Sequence, residues 1–108
     1  MNAAGGNGSL TVEIDPDGII VVHGDIDIAG GPTLEAVILS HETNNSIVID
    51  LGDVSFIDSS GLRSLLEASQ RAHARESTVK LRSVGPEVTR FLQITGTSDQ
   101  FTIESYRG

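Results

Sequence analysis

Between Asp53 and Ser69 the chain reads DVSFIDSSGLRSLLEAS, an acid, two adjacent hydroxyls and a glycine set between an apolar run and a helix-like repeat. Residues of these types serve three ends: helix capping, catalysis by a nucleophile or a phosphorylated carboxylate, and acceptance of a phosphate. Asp58, Ser59 or Ser60 can each cap the following helix by accepting hydrogen bonds from its free N–H groups, worth ~1 kcal/mol. One residue suffices for that. Three polar candidates stand in a row here, followed by Gly61, which has no side chain to shield them.

A serine nucleophile needs a base and an oxyanion hole beside it. The chain has no G-x-S-x-G elbow, and its three histidines fall elsewhere. His23 lies in a strand, read as a tolerated edge-strand position, His41 on a helix face as a half-buried packing residue, and His73 near a helix end as either a solvent-facing residue or a cation at the helix C-terminus. Of these, His23 alone is placed to approach the serines. Asp50 or Asp53 in IVIDLGDVSFIDSSG could act as a phosphoacceptor of the receiver type. That chemistry requires a carboxylate pair after the first strand to hold Mg²⁺ and a suitably placed lysine, whereas here the first strand enters a hairpin and Lys80 begins a late strand.

Phosphate acceptance by a serine makes fewer demands. At a helix N-terminus the dipole and free N–H groups favour an anion, so the fold tolerates the modification. The phosphate adds about −1.5 to −2 charges at pH 7, beside Asp58 and, if the hairpin ends nearby, Asp25 and Asp27. A partner adapted to a neutral hydroxyl then meets charge and bulk, and the switch acts on binding. Read alone, Asp25 and Asp27 also suit a solvated loop after a strand, with Asp27 supporting the next turn.

The elements that must position these residues follow from periodicity. Leu10, Val12 and Ile14 alternate on one face, the turn Asp15–Gly18 follows, and the apolar run IIVV completes a β-hairpin. Pro32 suits the first turn of a helix whose inner face carries Leu34, Val37, Ile38 and His41, and which ends near Asn44 and Asn45. SIVIDL predicts a central strand covered on both sides. A second helix begins at the two serines, with Leu62, Leu65, Leu66 and Ser69 on one face. TVKLRSV gives a strand, and PEVTRFLQIT a third helix with Val88, Phe91, Leu92 and Thr95 facing inward and Gly96 closing it. FTIES gives the last strand. The order β-β-α-β-α-β-α-β predicts an α/β fold, a mixed sheet opened by an antiparallel hairpin with its later strands parallel.

Residues 1–9, rich in Gly, Asn and Ala, read as a flexible tail, and residues 10–108 as a single domain large enough to bury a core unaided. With no cysteine among 108 residues, disulfides and thiolate sites are excluded, in keeping with a reducing compartment, and the cytoplasm is the expected location. No apolar stretch approaches the ~20 residues of a membrane span, and MNAAGGNGSL lacks the pattern of a signal peptide. Fifteen acidic against seven basic residues, a formal charge of −8, argue against nucleic acid or anionic membranes as partners and for a basic one.

The segment DVSFIDSSGLRSLLEA closely resembles the signature of the STAS domain, specifically that of the bacterial anti-sigma factor antagonists. VVHGDIDIAGGPTLEAV resembles the family's strand-to-helix segment with its G-[ED]-x-D element, here Gly24, Asp25, Ile26 and Asp27, and VTRFLQITGTSDQFTI its closing helix, turn and strand. His23 and Thr97 depart from the family pattern. The resemblance covers about Leu10 to Ser105 and implies a STAS-like fold and a ligand rather than an enzyme. Ser59 matches the residue phosphorylated by a partner anti-sigma factor, a serine kinase. Asp25, Asp27 and Asp58, with Ser60, Gly61 and Leu62 at the helix start, are the implied partner-binding positions. A PP2C-like phosphatase would restore the serine. No cofactor or metal is implied for the chain itself, since nucleotide and Mg²⁺ belong to the kinase. The same resemblance admits an accessory or scaffold subunit, for example of a transport complex, that binds without a phosphorylation cycle.

Overall fold

The computed structural model describes residues 10–41 and 46–105, so the expected tail and the helix end near Asn44 and Asn45 lie outside the described residues. Strands β1 (Thr11–Ile14), β2 (Ile20–His23), β3 (Ile47–Asp53), β4 (Val79–Val84) and β5 (Thr102–Ser105) alternate with helices α1 (Gly31–His41), α2 (Ser59–Ala74) and α3 (Pro86–Ile94) in the predicted order. A 3-10 turn, Ser98–Gln100, not anticipated from the sequence, joins α3 to β5.

The five strands form one sheet in the order β1-β2-β3-β4-β5, antiparallel between β1 and β2 and parallel thereafter. The opening turn forms because the Asp15 carboxylate accepts from the N–H groups of Asp17 and Ile19, at 2.8 and 3.0 Å, while Gly18 takes φ +83°. At its other end, α3 closes with the N–H of Thr97 donating to Leu92 O and that of Gly96, at φ +71°, to Gln93 O. The Thr97 hydroxyl joins this cap by pairing with Thr95 Oγ1 at 2.9 Å.

β3 is central, as its apolar run predicts, but it is not covered on both sides. Ile47, Ile49 and Leu51 are buried, whereas Val48 and Asp50, which alternate with them, are only half-buried. Leu34 and Ile38 of α1, Leu62, Leu65, Ala68 and Ala72 of α2, and Val88 and Leu92 of α3 all join one cluster with the inner face of the sheet. The cause is topological. The strand order never reverses, so successive right-handed crossovers return on the same side, and a doubly wound sheet would need a reversal. The opposite face carries ion pairs, Arg82 to Asp50 at 2.9 Å and Lys80 to Glu104 at 3.5 Å.

Three smaller expectations are corrected. His41 is exposed and rests on its own helix, with Nδ1 3.2 Å from Val37 O, because the apolar stripe of α1 ends a turn earlier at Ile38. Thr95 is exposed and turns its hydroxyl back to Phe91 O at 2.9 Å, because it is the C-cap of α3 and lies past the end of the helix's buried face. His23 lies on an interior strand, since β2 is hydrogen-bonded to both β1 and β3.

Candidate functional site

The carboxyl ends of β2 and β3 do not stop together; they continue as two extended segments stitched side by side. Gly24, at φ +98°, turns the chain and donates to Asp53 O at 3.1 Å. Beyond it Ile26 donates to Phe56 O at 3.0 Å and accepts from the N–H of Asp58 at 3.1 Å, an isolated parallel bridge pairing Ile26 with Ile57. Both isoleucines are buried in the core. Alternation along an extended chain therefore turns their neighbours Asp25, Asp27, Phe56 and Asp58 outward. Two sequence segments that read as separate motifs thus become one acidic rim.

Of the three polar residues at the start of α2, Asp58 is the cap. Its φ is −110° and its Oδ1 accepts from the N–H of Gly61 at 2.9 Å. Ser59 and Ser60 occupy the first two helical positions, both exposed, and neither hydroxyl makes a hydrogen bond within the described residues. Capping by the aspartate leaves both serines unspent.

Gly61 answers to a different need. A Cβ at this position would stand 2.3 Å from Ile26 O and 2.5 Å from Ile26 Cγ2, so glycine lets α2 press against the segment that carries Asp25 and Asp27. Gly61 and Leu62 are themselves buried. Asp27 has a structural task as well, its Oδ1 accepting from the N–H groups of Ala29 and Gly30 at 3.1 and 2.9 Å, which forms the turn into α1.

The adjacent serines open onto different surfaces. Ser59 lines a groove of about 260 Å³ with Phe56, Asp58, Glu87 and Phe91, between the β3–α2 connection and α3. Ser60 lines a second groove, of about 400 Å³, between α1 and α2, with Asp27, Ile28, Glu35, Arg63 and Glu67. Sequence reasoning did not single out Phe56 or Glu87, and read Phe91 as an inward-facing residue of α3 and not as part of the site. The available signal was an aromatic residue directly outside the buried β3 run and a Phe91 at the margin of the apolar stripe of α3.

His23 does not serve the serines as a base. Its Nε2 is 2.7 Å from Glu13 Oε2 and its Nδ1 2.8 Å from Asp53 Oδ2, so both ring nitrogens are engaged across β1, β2 and β3. The hydrogen bond to Glu13, then that to Asp53, raises its pKa above 6.5 against a smaller lowering by burial. Two acceptors leave no role for an unprotonated ring nitrogen. Asp53 is held by this histidine and Asp50 by Arg82, and among the described residues no cluster of three or more His, Asp or Glu is placed to hold a metal ion. Neither aspartate offers the receiver-type site.

The sequence profile of the STAS domain matches residues 9–107. The chain belongs to the STAS domain family. An anti-sigma-B factor antagonist of Listeria monocytogenes is 32% identical to it over 106 residues, covering 93% of each chain. The crystal structure of an anti-sigma factor antagonist from Mycobacterium paratuberculosis superposes with a TM-score of 0.69 at 28% identity, over 96% of this chain and 90% of that one. A sulfate transporter family protein from Wolinella succinogenes shares the STAS fold at 18% identity, with a TM-score of 0.72 over 82% of this chain and 76% of that one. Among the described residues, no helix of this STAS chain is long and apolar enough to cross a membrane.

Proposed function

We propose that this STAS chain, acting as a single domain over residues 10–108, is an anti-sigma factor antagonist that frees a sigma factor by binding a serine-kinase anti-sigma factor, and that phosphorylation of Ser59 switches it off. The observation that carries the reading is the state of Ser59: exposed in the first turn of α2, with Asp58 performing the capping. The likeness to relatives named anti-sigma factor antagonists supports it.

The chain acts as ligand and substrate. Its unmodified hydroxyl shares a groove with Asp58, whose second oxygen, with the Asp25 carboxylate and the second oxygen of Asp27 on the same rim, meets the partner in this reading, while Ser60 flanks the contact and Gly61 and Leu62 hold the surface from beneath. In the kinase complex, the Ser59 oxygen attacks the γ-phosphorus of ATP, the bond to the β–γ bridging oxygen breaks, ADP leaves, and the hydroxyl proton passes to a base of the kinase. The phosphoserine then sits on the free N–H groups of the α2 N-terminus, which spares the fold, and its charge and bulk expel the partner. A PP2C-like phosphatase reverses the step by adding water and releasing inorganic phosphate. Nucleotide and Mg²⁺ belong to the kinase, so the chain needs no cofactor, and a reaction that uses ATP locates the cycle in the cytoplasm.

Binding assays with two variants test the proposal. Ser59→Ala retains the anti-sigma factor in the presence of ATP, and Ser59→Asp binds it at least about tenfold more weakly. Equal binding by the two removes the switch and leaves a constitutive scaffold.

A further inference from the structure

The groove that holds Ser59 runs on to α3, and its chemistry differs from that of the acidic rim. Phe91 is partly buried at its side, Phe56 is 50% exposed, and Ile94, three residues from Phe91 and on the same helical stripe, is 72% exposed. Asp58 and Glu87 line the same groove, and neither forms an ion pair among the described residues. Arg90 of α3 reaches neither of them. An apolar strip edged by uncompensated carboxylates, on a chain of formal charge −8, calls for an occupant that is apolar on one side and cationic on the other.

We infer that this groove seats an amphipathic segment of the anti-sigma factor, with a large apolar side chain against Phe56, Phe91 and Ile94 and a neighbouring lysine or arginine over Glu87. The inference rests on the function proposed above and extends its contact surface to α3, beyond the acidic rim. It also explains how a phosphate could expel a partner that carries positive charge. The cation over Glu87 is solvent-exposed, where pairing gains little. The phosphate on Ser59 stands at the groove wall, where seating the apolar side chain would strip its hydration, and that cost is large. Dehydration of the phosphate outweighs its attraction for the cation.

The test uses the full chain and the ADP-bound serine-kinase anti-sigma factors of the organism that encodes it, with affinities measured by calorimetry. Phe56→Ser, Ile94→Ser and Glu87→Arg each alter an exposed side chain, so the fold is retained, which circular dichroism and the melting temperature check. Leu39→Ser is the control, since Leu39 is also an exposed apolar residue, at 51%, but lies on α1 away from the groove. Phe56→Ser and Ile94→Ser are each expected to bind about tenfold or more weakly, Glu87→Arg about threefold because its cation is exposed, and Leu39→Ser within about twofold of the parent chain. If the groove variants bind like the parent while Ser59→Asp binds poorly, the switch stands and the groove inference falls. If the parent chain binds none of these kinases, both fall. Sedimentation of the free chain supplies a further arm: a dimer that Ile94→Ser dissociates would assign the groove to a second copy and overturn the inference.

Discussion

The carbonyl of Ile26 lies where the Cβ of any residue larger than glycine at position 61 would have to be, 2.3 Å from it. Gly61 is thereby the contact through which α2 fixes the segment carrying Asp25 and Asp27 relative to Ser59. The acidic rim and the serine form one surface because of this approach, which the bridge between Ile26 and Ile57 reinforces.

Gly61→Ala should therefore act on both stability and function. Backbone, which cannot yield as a flexible side chain would, is what the added methyl meets, and overpacking of this kind costs roughly 1–3 kcal/mol. Urea denaturation reads the loss, and amide chemical shifts at Gly24–Ala29 should move with it. A variant as stable as the parent, with those shifts unchanged, would show that the approach is looser than described.

The division of labour at the start of α2 gives a second prediction. Asp58→Ala removes the side-chain acceptor for the N–H of Gly61 and should cost about 1 kcal/mol, whereas Ser59→Ala and Ser60→Ala, whose hydroxyls cap nothing, should each stay within about 0.5 kcal/mol of the parent. Chemical denaturation of the three variants separates these outcomes. A Ser59→Ala loss as large as that of Asp58→Ala would return the serine to a structural role.

His23 makes stability depend on pH. Its folded-state pKa is raised above 6.5 by Glu13 and then Asp53, so the protonated ring stabilises the folded chain, fully below about pH 6.5 and decreasingly as pH rises through the folded-state value. The difference in melting temperature between the parent and His23→Gln should accordingly be largest near pH 6 and shrink towards pH 9. The cluster is largely solvent-exposed, which keeps the effect modest. A difference that is flat or grows with pH would contradict the doubly bonded, charged histidine.

The element order and the hairpin were legible because each periodicity is local: alternation in LTVEI, helical spacing in Leu62, Leu65 and Leu66, and turn chemistry at Asp15–Gly18. The covering of β3 was not, because in IVIDL the apolar Val48 masks the alternation that Asp50 alone marks. Which face receives the helices depends on the order of strands across the sheet, a non-local property. His41 and Thr95 follow an apolar period past the point where the helix has left the core. At the site, the serines and the acids stood out by type and spacing, but the choice of Asp58 as the cap rests on a backbone angle. The opening of Ser59 and Ser60 onto separate grooves arises from α1 and α3 flanking α2, which no spacing within one segment encodes.

The central claim is that Ser59 accepts a phosphate from a kinase that the chain binds. Fragment mass spectrometry after incubation with ATP and the organism's serine-kinase anti-sigma factors tests it most directly. One added phosphate on Ser59, stable to hydroxylamine as a phosphoserine is and an acyl phosphate is not, is the predicted result. Phosphate on Ser60 instead, or none from a kinase that binds the chain, would contradict it.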